Sequence, residues 1–454
     1  MNKNNNLINI AVIGHTNVGK TSLMRTLTRN QVFGEIKNSS ATTRHVEAVR
    51  LDIGTVSLML FDTPGLEDAS GVMDYLLDHT DNRSDGVVRL ADFVQAVTDN
   101  SPLTSDHTQE AKVIKALMNA DLALYVIDVR EPVLSKYQDE LAIVAWAGVP
   151  VLPVFNFMRD SDNLAAWRNM LGKRGLHIVS LFDTVAYDFA NEIKLWQNLA
   201  TLSDNSLFDK LINARQDNWQ QLLEKGKYLI ADFLVNVAAI SIKINENEDT
   251  AAHLDNIQNR VRQAERLMQD SLLTLYKFYN HPINLDPLHI TASTSNPFDS
   301  SQLTHYGIRT ATGGTAGAII GAGIDVAALG ATFGLGTVVG GIIGGAIGNA
   351  NTLKDKVMGL KSLNIDDSSL LVLASRACQL HSNLRHIGHA LQSDISSDSG
   401  TQTTAWQADK MPKILKEVRH KPHYSSILQG DDTKAEALRS PLSTALGAVL
   451  PPNE

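Results

Sequence analysis

A single cysteine, Cys378, occurs in the 454 residues. It has no partner for an intramolecular disulfide, and such a chain suits a reducing cytoplasm. Basic charge is not in excess either. Lys and Arg number 40 against 49 Asp and Glu, a formal net charge of -9, which argues against a dominant nucleic-acid role. No recognisable RNA-binding module is present. The opening Met1-Asn2-Lys3-Asn4-Asn5-Asn6 lacks the apolar core of a signal peptide, so a cytoplasmic location is expected. Cys378, His381, His386 and His389 share an expected helix over 368–391, but their spacing matches no common zinc site, and they read as a solvated polar face. The length calls for two or three domains.

Against these absences stands one strong motif, Gly14-His15-Thr16-Asn17-Val18-Gly19-Lys20-Thr21. It fits the phosphate-loop pattern G-x-x-x-x-G-K-[ST] without a mismatch. The apolar run Leu7–Ile13 before it reads as a buried strand, and Ser22 onward reads as a helix. That context is what the chemistry needs. Glycines let backbone N–H groups curl around phosphates, and the helix N-terminus adds positive potential. The nucleotide-binding set is therefore Gly14, Asn17, Val18, Gly19, Lys20, Thr21 and Ser22. Lys20 reaches the β- and γ-phosphates as a catalytic group, and the Thr21 hydroxyl is a Mg²⁺ ligand.

Strands and helices alternate over the first 200 residues, which predicts an α/β fold with a mostly parallel sheet and helices on both faces. Strands are expected at Val46–Leu51, Thr55–Phe61, Leu122–Ile127, Val149–Phe155 and near Leu176–Val179, with a closing helix over Ala186–Leu199. The second of these strands ends at Asp62-Thr63-Pro64-Gly65. An Asp at a strand tip followed by Gly is what a metal and γ-phosphate sensor requires: Asp62 for Mg²⁺, the Gly65 N–H for the phosphate.

The pairing of these two motifs resembles the Era and TrmE branch of the translation-factor class of small GTPases, and Ala41-Thr42-Thr43-Arg44-His45 is similar to that branch's first switch. By that resemblance Thr43 coordinates Mg²⁺ and takes part in catalysis, with Thr42 as the alternative register. Asn17 stands where potassium-using relatives carry a cation-binding Asn, which implies K⁺-stimulated hydrolysis; shaping the loop is the other reading. Two departures matter. Leu66 follows Gly65 where Ras-like proteins place a water-orienting Gln, and a leucine orients no water. The base motif Asn-Lys-x-Asp reads Asn156-Phe157-Met158-Arg159-Asp160: Asn156 fits, Phe157 replaces the lysine, and Asp160 falls one residue late. Ser180 is the candidate from the last base-contacting loop.

Residues 70–105 exceed what a minimal GTPase needs. They are rich in Asp, with a helical pattern at Val87, Leu90, Val94 and Val97. After residue 203 the alternation stops. Long helices are expected over Leu207–Ile242 and through Leu254, Ile257, Val261, Ala264, Met268, Leu272 and Leu275. Thirteen of the thirty glycines fall between Thr310 and Leu353, where Asp325 is the only charge. Gly336, Gly340, Gly344 and Gly348 recur every fourth residue, the spacing of a helical hairpin with closely approaching backbones. That hairpin either touches a membrane or packs inside a helical domain. The expected organisation is a GTPase domain over 1–203, a helical domain over 204–392 including the Gly/Ala-rich hairpin 310–353, and a linker and poorly ordered tail over 393–454.

The whole arrangement resembles bacterial Era/TrmE-type GTPases that carry a C-terminal domain of unknown function with a Gly/Ala-rich segment. The resemblance implies GTP hydrolysis to GDP and phosphate as a switch acting on the C-terminal domain, with GTP or GDP, Mg²⁺ and K⁺ as ligands. The partners it implies are guanine nucleotide and a protein effector or second copy; nucleic acid is not expected. Three alternatives stay open. One is a dynamin-like GTPase, peripheral on the inner membrane through residues 310–353. Another is a ribosome- or tRNA-directed factor, and the third a nucleotide-binding scaffold without useful turnover.

Overall fold

The computed structural model describes residues 7–30, 46–81, 83–99, 106–158, 162–203, 205–245, 247–278, 324–328, 331–332, 360–388, 404–407, 410–419, 421–428 and 432–450. Two compact units divide the chain: residues 1–220 with 385–391, and residues 221–384 with 392–454.

In the first unit the apolar run Leu7–Ile13 forms strand β1, buried without interruption from Ile10 to Ile13. A strand buried on successive residues, and so on both faces, belongs inside a sheet covered on both sides. β1 is paired in parallel on both sides, with β3 (Val56–Asp62) and β4 (Leu122–Asp128). Adding β2 (Glu47–Ile53), β5 (Val151–Asn156) and β6 (Ser180–Leu181) gives the order β2-β3-β1-β4-β5-β6. Only β2 runs antiparallel, joined to β3 through Gly54, whose φ of 58° suits the tight hairpin. The strand order reverses direction at β1, so the crevice beyond the carboxyl end of β1 is where such a sheet binds ligands.

Period-two side-chain alternation sends Ile8, Ile10 and Val12 to one core and Ala11 and Ile13 to the other. The first core is closed by Leu23 and Leu27 of α1 (Lys20–Thr28), Trp196 of α7 (Phe189–Thr201) and Leu211 of α8 (Leu207–Ala238). The second holds Leu76 of α2 (Ala69–His79), Phe93 of α3 (Gly86–Thr98) and Ile114 of α4 (Thr108–Met118). Leu141 of α5 (Ser135–Trp146) and Trp167 of α6 (Leu164–Gly172) complete it. The α/β expectation is met. The extra segment after Gly65 is helical, with Leu90 and Phe93 of α3 in the core and Val87 and Val88 exposed. An ion pair between Glu192 and Arg215, both buried, ties α7 to α8. An isolated bridge pairs Ala186 with Ile387, in keeping with the grouping of residues 385–391 with this unit.

The second unit is mainly helical and also holds a four-stranded antiparallel sheet the sequence reading did not expect. Its order is β7 (Ser241–Asn245), β10 (Leu360–Ile365), β8 (Ile324–Ala328) and β9 (Ala331–Thr332). Asp325, the lone charge of the expected helical hairpin, lies instead in β8 opposite Asn364. The glycine period suggested a helix, but Ile324 and Val326 alternate with Asp325, and β10 offers an edge whose backbone groups β8 satisfies. The remainder of the 310–353 segment lies outside the described residues. No helix among the described residues is long and apolar enough to cross a membrane.

The apolar stripe of α9 (Thr250–Leu275) buries Ile257, Val261, Met268 and Leu272 as its spacing predicts. α10 (Asp367–His386) joins α9 through a buried ion pair, Arg376 Nε to Glu265 Oε1 at 2.7 Å. His381 is buried, not solvated, with its Nε2 2.8 Å from the Tyr276 hydroxyl. Among the described residues no three His, Cys, Asp or Glu side chains gather into a cluster that could hold a metal ion. The 393–454 stretch, expected as linker and tail, contains α11 (Lys413–Val418), a 3-10 turn at Pro422–Tyr424 and α12 (Asp432–Val449). Arg439 of α12 is buried against Asp232 of α8 at 3.2 Å, which fixes the last helix.

Candidate nucleotide-binding site

The loop between β1 and α1 turns on three residues with positive φ, Gly14 at 140°, Asn17 at 65° and Gly19 at 94°. Asn17 tolerates the left-handed region better than most residues, and its side chain is exposed. Gly19 has a second reason to be glycine: a Cβ there would stand 2.3 Å from Asn156 Nδ2. Gly19 caps α1, and its carbonyl accepts the Leu23 N–H at 2.8 Å. The free N–H groups of the first turn, including those of Lys20, Thr21 and Ser22, are thus the phosphate-facing donors such a turn leaves over.

Lys20 is buried, and its ammonium donates to Gly14 O at 3.1 Å and His15 O at 2.7 Å. Burial lowers its pKa to about 8, although the Asp62, Glu140 and Glu67 carboxylates draw the other way. Thr21 donates its hydroxyl proton to Asp62 Oδ2 at 2.6 Å. Asp62 stands at the end of β3, and its other oxygen, Oδ1, is buried with no hydrogen-bond partner. Burial raises the Asp62 carboxyl to about pH 6, while the Thr21 hydrogen bond and the Lys20 charge oppose it. An orphaned buried carboxylate oxygen beside a threonine hydroxyl is a donor set that suits a hard divalent cation such as Mg²⁺.

The turn after β3 packs directly on the loop. A Cβ at Gly65 would stand 2.1 Å from Thr16 Oγ1 and 2.6 Å from Thr16 N, so no other residue fits this seat unchanged. Thr16 donates to Glu67 Oε1 at 2.7 Å. Leu66 is fully buried in the second core, which removes it from water altogether. Thr43 and Thr42 lie outside the described residues, as does Asp160.

Asn156 joins two loops. Its Nδ2 donates to Val18 O at 3.0 Å, and its Oδ1 accepts from Phe157 N at 2.9 Å and Thr184 N at 3.0 Å. Ser180 is not part of this cluster. It is buried in β6 and bonded to Asn198 Nδ2 at 2.9 Å. β6 is only two residues long, so the loop begins later and presents Asp183 and Thr184 instead. Asp183 accepts from Met158 N at 3.0 Å, Val185 N at 2.9 Å and Ala186 N at 3.0 Å. An Asp closing its own turn after a short strand is a local signal that could have located it.

A second set was invisible in the sequence. The His15 ring has Nδ1 2.7 Å from Glu140 Oε1 and Nε2 2.8 Å from Lys136 Nζ. The lysine must donate, so Nδ1 carries the proton and gives it to the carboxylate, a tautomer inferred from the partners. Tyr125 donates to the other Glu140 oxygen at 2.8 Å. Glu140 lies 125 residues from His15 within an ordinary helix, and nothing local marks it as buried.

This strand order, phosphate loop and Asp62 seat define the first unit as a P-loop GTPase domain of the Era/TrmE type. Residues 9–157 match the family described as 50S ribosome-binding GTPase. Residues 168–446, more than half of the chain, match the family described as Domain of unknown function (DUF3482), and the chain belongs to that family. Among curated relatives, the tRNA modification GTPase MnmE of Parvibaculum lavamentivorans is 39% identical over 67 residues, 15% of either chain. The MnmE of Aliarcobacter butzleri is 32% identical over 119 residues, 26% of this chain and 25% of that one. The chain therefore spans a quarter or less of the length of these two relatives. A solved structure of Era in complex with MgGDPNP and 16S ribosomal RNA nucleotides is 19% identical, covers 39% of this chain and 51% of that one, and superposes at a TM-score of 0.28.

Proposed function

We propose that this protein binds GTP with Mg²⁺ and hydrolyses it to GDP and phosphate, with the nucleotide state acting on the C-terminal domain as a switch. The observation that carries the reading is the Thr21–Asp62 pair with its orphaned Oδ1, set beside the buried Lys20. Thr21 and Asp62 are the residues that would hold Mg²⁺, which would supply charge neutralisation to the phosphates. The Lys20 ammonium is held over the loop by the Gly14 and His15 carbonyls, which aims it at the space the phosphates would take. Backbone N–H groups from Asn17 to Ser22 stabilise charge that builds during in-line attack by water. The Gly65 N–H senses the γ-phosphate in this reading, and its tight seat on Thr16 links that contact to the switch segment.

With Leu66 buried, water must be oriented by something else. Asn17, exposed on the rim, is the proposed K⁺ ligand for that purpose, and Thr43 the proposed first-switch ligand for Mg²⁺. Phosphate release measured with Mg²⁺ in K⁺ and in Na⁺ buffers tests the cation; equal turnover refutes it. The main test is a binding titration of GTP, GDP, ATP and a xanthosine nucleotide against the full chain, with Lys20→Ala as control. Tight GTP and GDP binding lost in Lys20→Ala is expected. ATP binding as tight as GTP would remove the guanine assignment, and no nucleotide binding would remove the proposal.

A further inference from the structure

Phe157 takes the place of the base-loop lysine, and its surroundings are unusual. Its φ is 59°, a left-handed conformation that aromatic residues rarely adopt. The conformation is held by its own N–H, which donates to Asn156 Oδ1 at 2.9 Å. The ring lies against the phosphate loop: its Cζ and Cε2 would be 3.3 and 3.5 Å from a Cβ at Gly19. The Arg130 guanidinium sits over the ring, 3.9 Å from the centroid. Arg130 is held there by Asp128, with Nε 2.9 Å from Oδ1 and a terminal nitrogen 2.6 Å from Oδ2. The Phe157 ring is half-buried, and Met158 N and Thr184 N on either side are tied to Asp183 and Asn156.

We infer that Phe157, backed by Arg130, is a stacking wall for the purine base of the bound nucleotide. The inference rests on the reading that the Gly14–Thr21 loop binds a nucleoside triphosphate. A flat aromatic ring beside the phosphate loop offers a base its face, and a guanidinium on the far side draws ring electron density away from that face. Stacking uses the π-surface that every purine has, so it adds affinity without telling one exocyclic group from another. The lysine of the resembling family carries no such ring. In this chain, therefore, grip on the base and choice of base are separate: Phe157 supplies the first, and the groups around Asn156 and Asp183 are left with the second.

The test compares GTP, ITP, XTP and inorganic triphosphate, each with Mg²⁺, on the full-length chain and its Phe157→Ala, Phe157→Tyr, Phe157→Trp and Arg130→Gln variants. Phe157→Ala is expected to weaken all three nucleotides by a common factor, on the order of tenfold to a hundredfold, and to leave triphosphate unchanged. Phe157→Tyr keeps its affinity, and Arg130→Gln loses a smaller factor shared by the three nucleotides. Phe157→Trp gains emission that GTP quenches and triphosphate does not. A loss in Phe157→Ala that triphosphate shares would overturn the inference, because Phe157 would then only shape the loop at Gly19. So would unchanged affinity for every nucleotide, or a loss confined to one base. If the unaltered chain binds neither triphosphate nor any nucleotide, the underlying nucleotide reading fails instead, and the stacking wall fails with it.

Discussion

Asn156→Ala tests whether the two base-side loops are held as a unit. Asn156 is fully buried and bridges Val18 O to Phe157 N, Thr184 N and the Thr184 hydroxyl, the last at 3.2 Å. Alanine removes the donor and the acceptor together. Phe157 N is part-buried and can turn to water, but the Val18 carbonyl and the Thr184 N–H lie in a buried seam. Two buried groups left unpaired cost about 1–3 kcal/mol each, so a loss of about 2–6 kcal/mol is expected. A domain stable by about 5–15 kcal/mol survives this, with its loops loosened. Thr184→Val removes one weak hydroxyl contact and costs about 0.5–1.5 kcal/mol. Urea unfolding of the single and double variants gives the coupling between the two side chains, expected at about 0.5 kcal/mol or more because they touch. GTP titration of the same proteins should show a loss of about tenfold or more for Asn156→Ala, since each 1.4 kcal/mol spent on reordering the loops is a factor of ten. An Asn156→Ala protein within about 0.5 kcal/mol of the parent, with unchanged GTP affinity, would refute the reasoning.

Gly65→Ala places a methyl group against the Thr16 backbone nitrogen, which cannot swing aside; phosphate-release assays should show turnover down about tenfold or more, with nucleotide affinity changed much less. Arg215→Met strands the buried Glu192 carboxylate and should cost about 3–5 kcal/mol in urea melts. In the parent, burial raises the Glu192 carboxyl but the Arg215 charge outweighs it and holds it below the usual range, so that stability is lost as pH falls through the folded value. The variant should reverse the sign and gain stability on acidification. Asp62 carries the opposite shift, raised from 3.8 to about 6. The unfolded chain then releases its proton first, and nucleotide-free protein should lose up to about 3 kcal/mol as pH rises from about 4 to about 6. Asp62→Asn should flatten that slope and be more stable than the parent above pH 6 without nucleotide, while failing to bind Mg²⁺–GTP; a parent whose stability is flat across this window contradicts the burial argument.

Local signals carried the phosphate half of the site. Gly14 to Thr21, Asp62 and Gly65 each stand within a few residues of a strand end, so spacing alone placed them on the right side of the sheet. The base half was harder. Ser180 satisfied a spacing argument, but β6 ends at Leu181 and turns its serine toward Asn198, leaving Asp183 and Thr184 at the loop. Glycine period in 310–353 pointed to helix, whereas β10 drew Ile324–Ala328 into a sheet, because an open strand edge outweighs a weak propensity.

What the sequence determined by itself is the α/β class, the loop, the Asp62 seat and the departures at Leu66 and Phe157, since these depend on residue type and short spacing. Tertiary structure alone decided the burial of Glu140 behind His15, the Glu192–Arg215 pair, the Asn156 bridge to Thr184 and the placing of Arg130 over Phe157. Most of these join residues far apart in the chain. Their energies depend on burial and on which partner is opposite, and neither is set until the sheet and helices have packed.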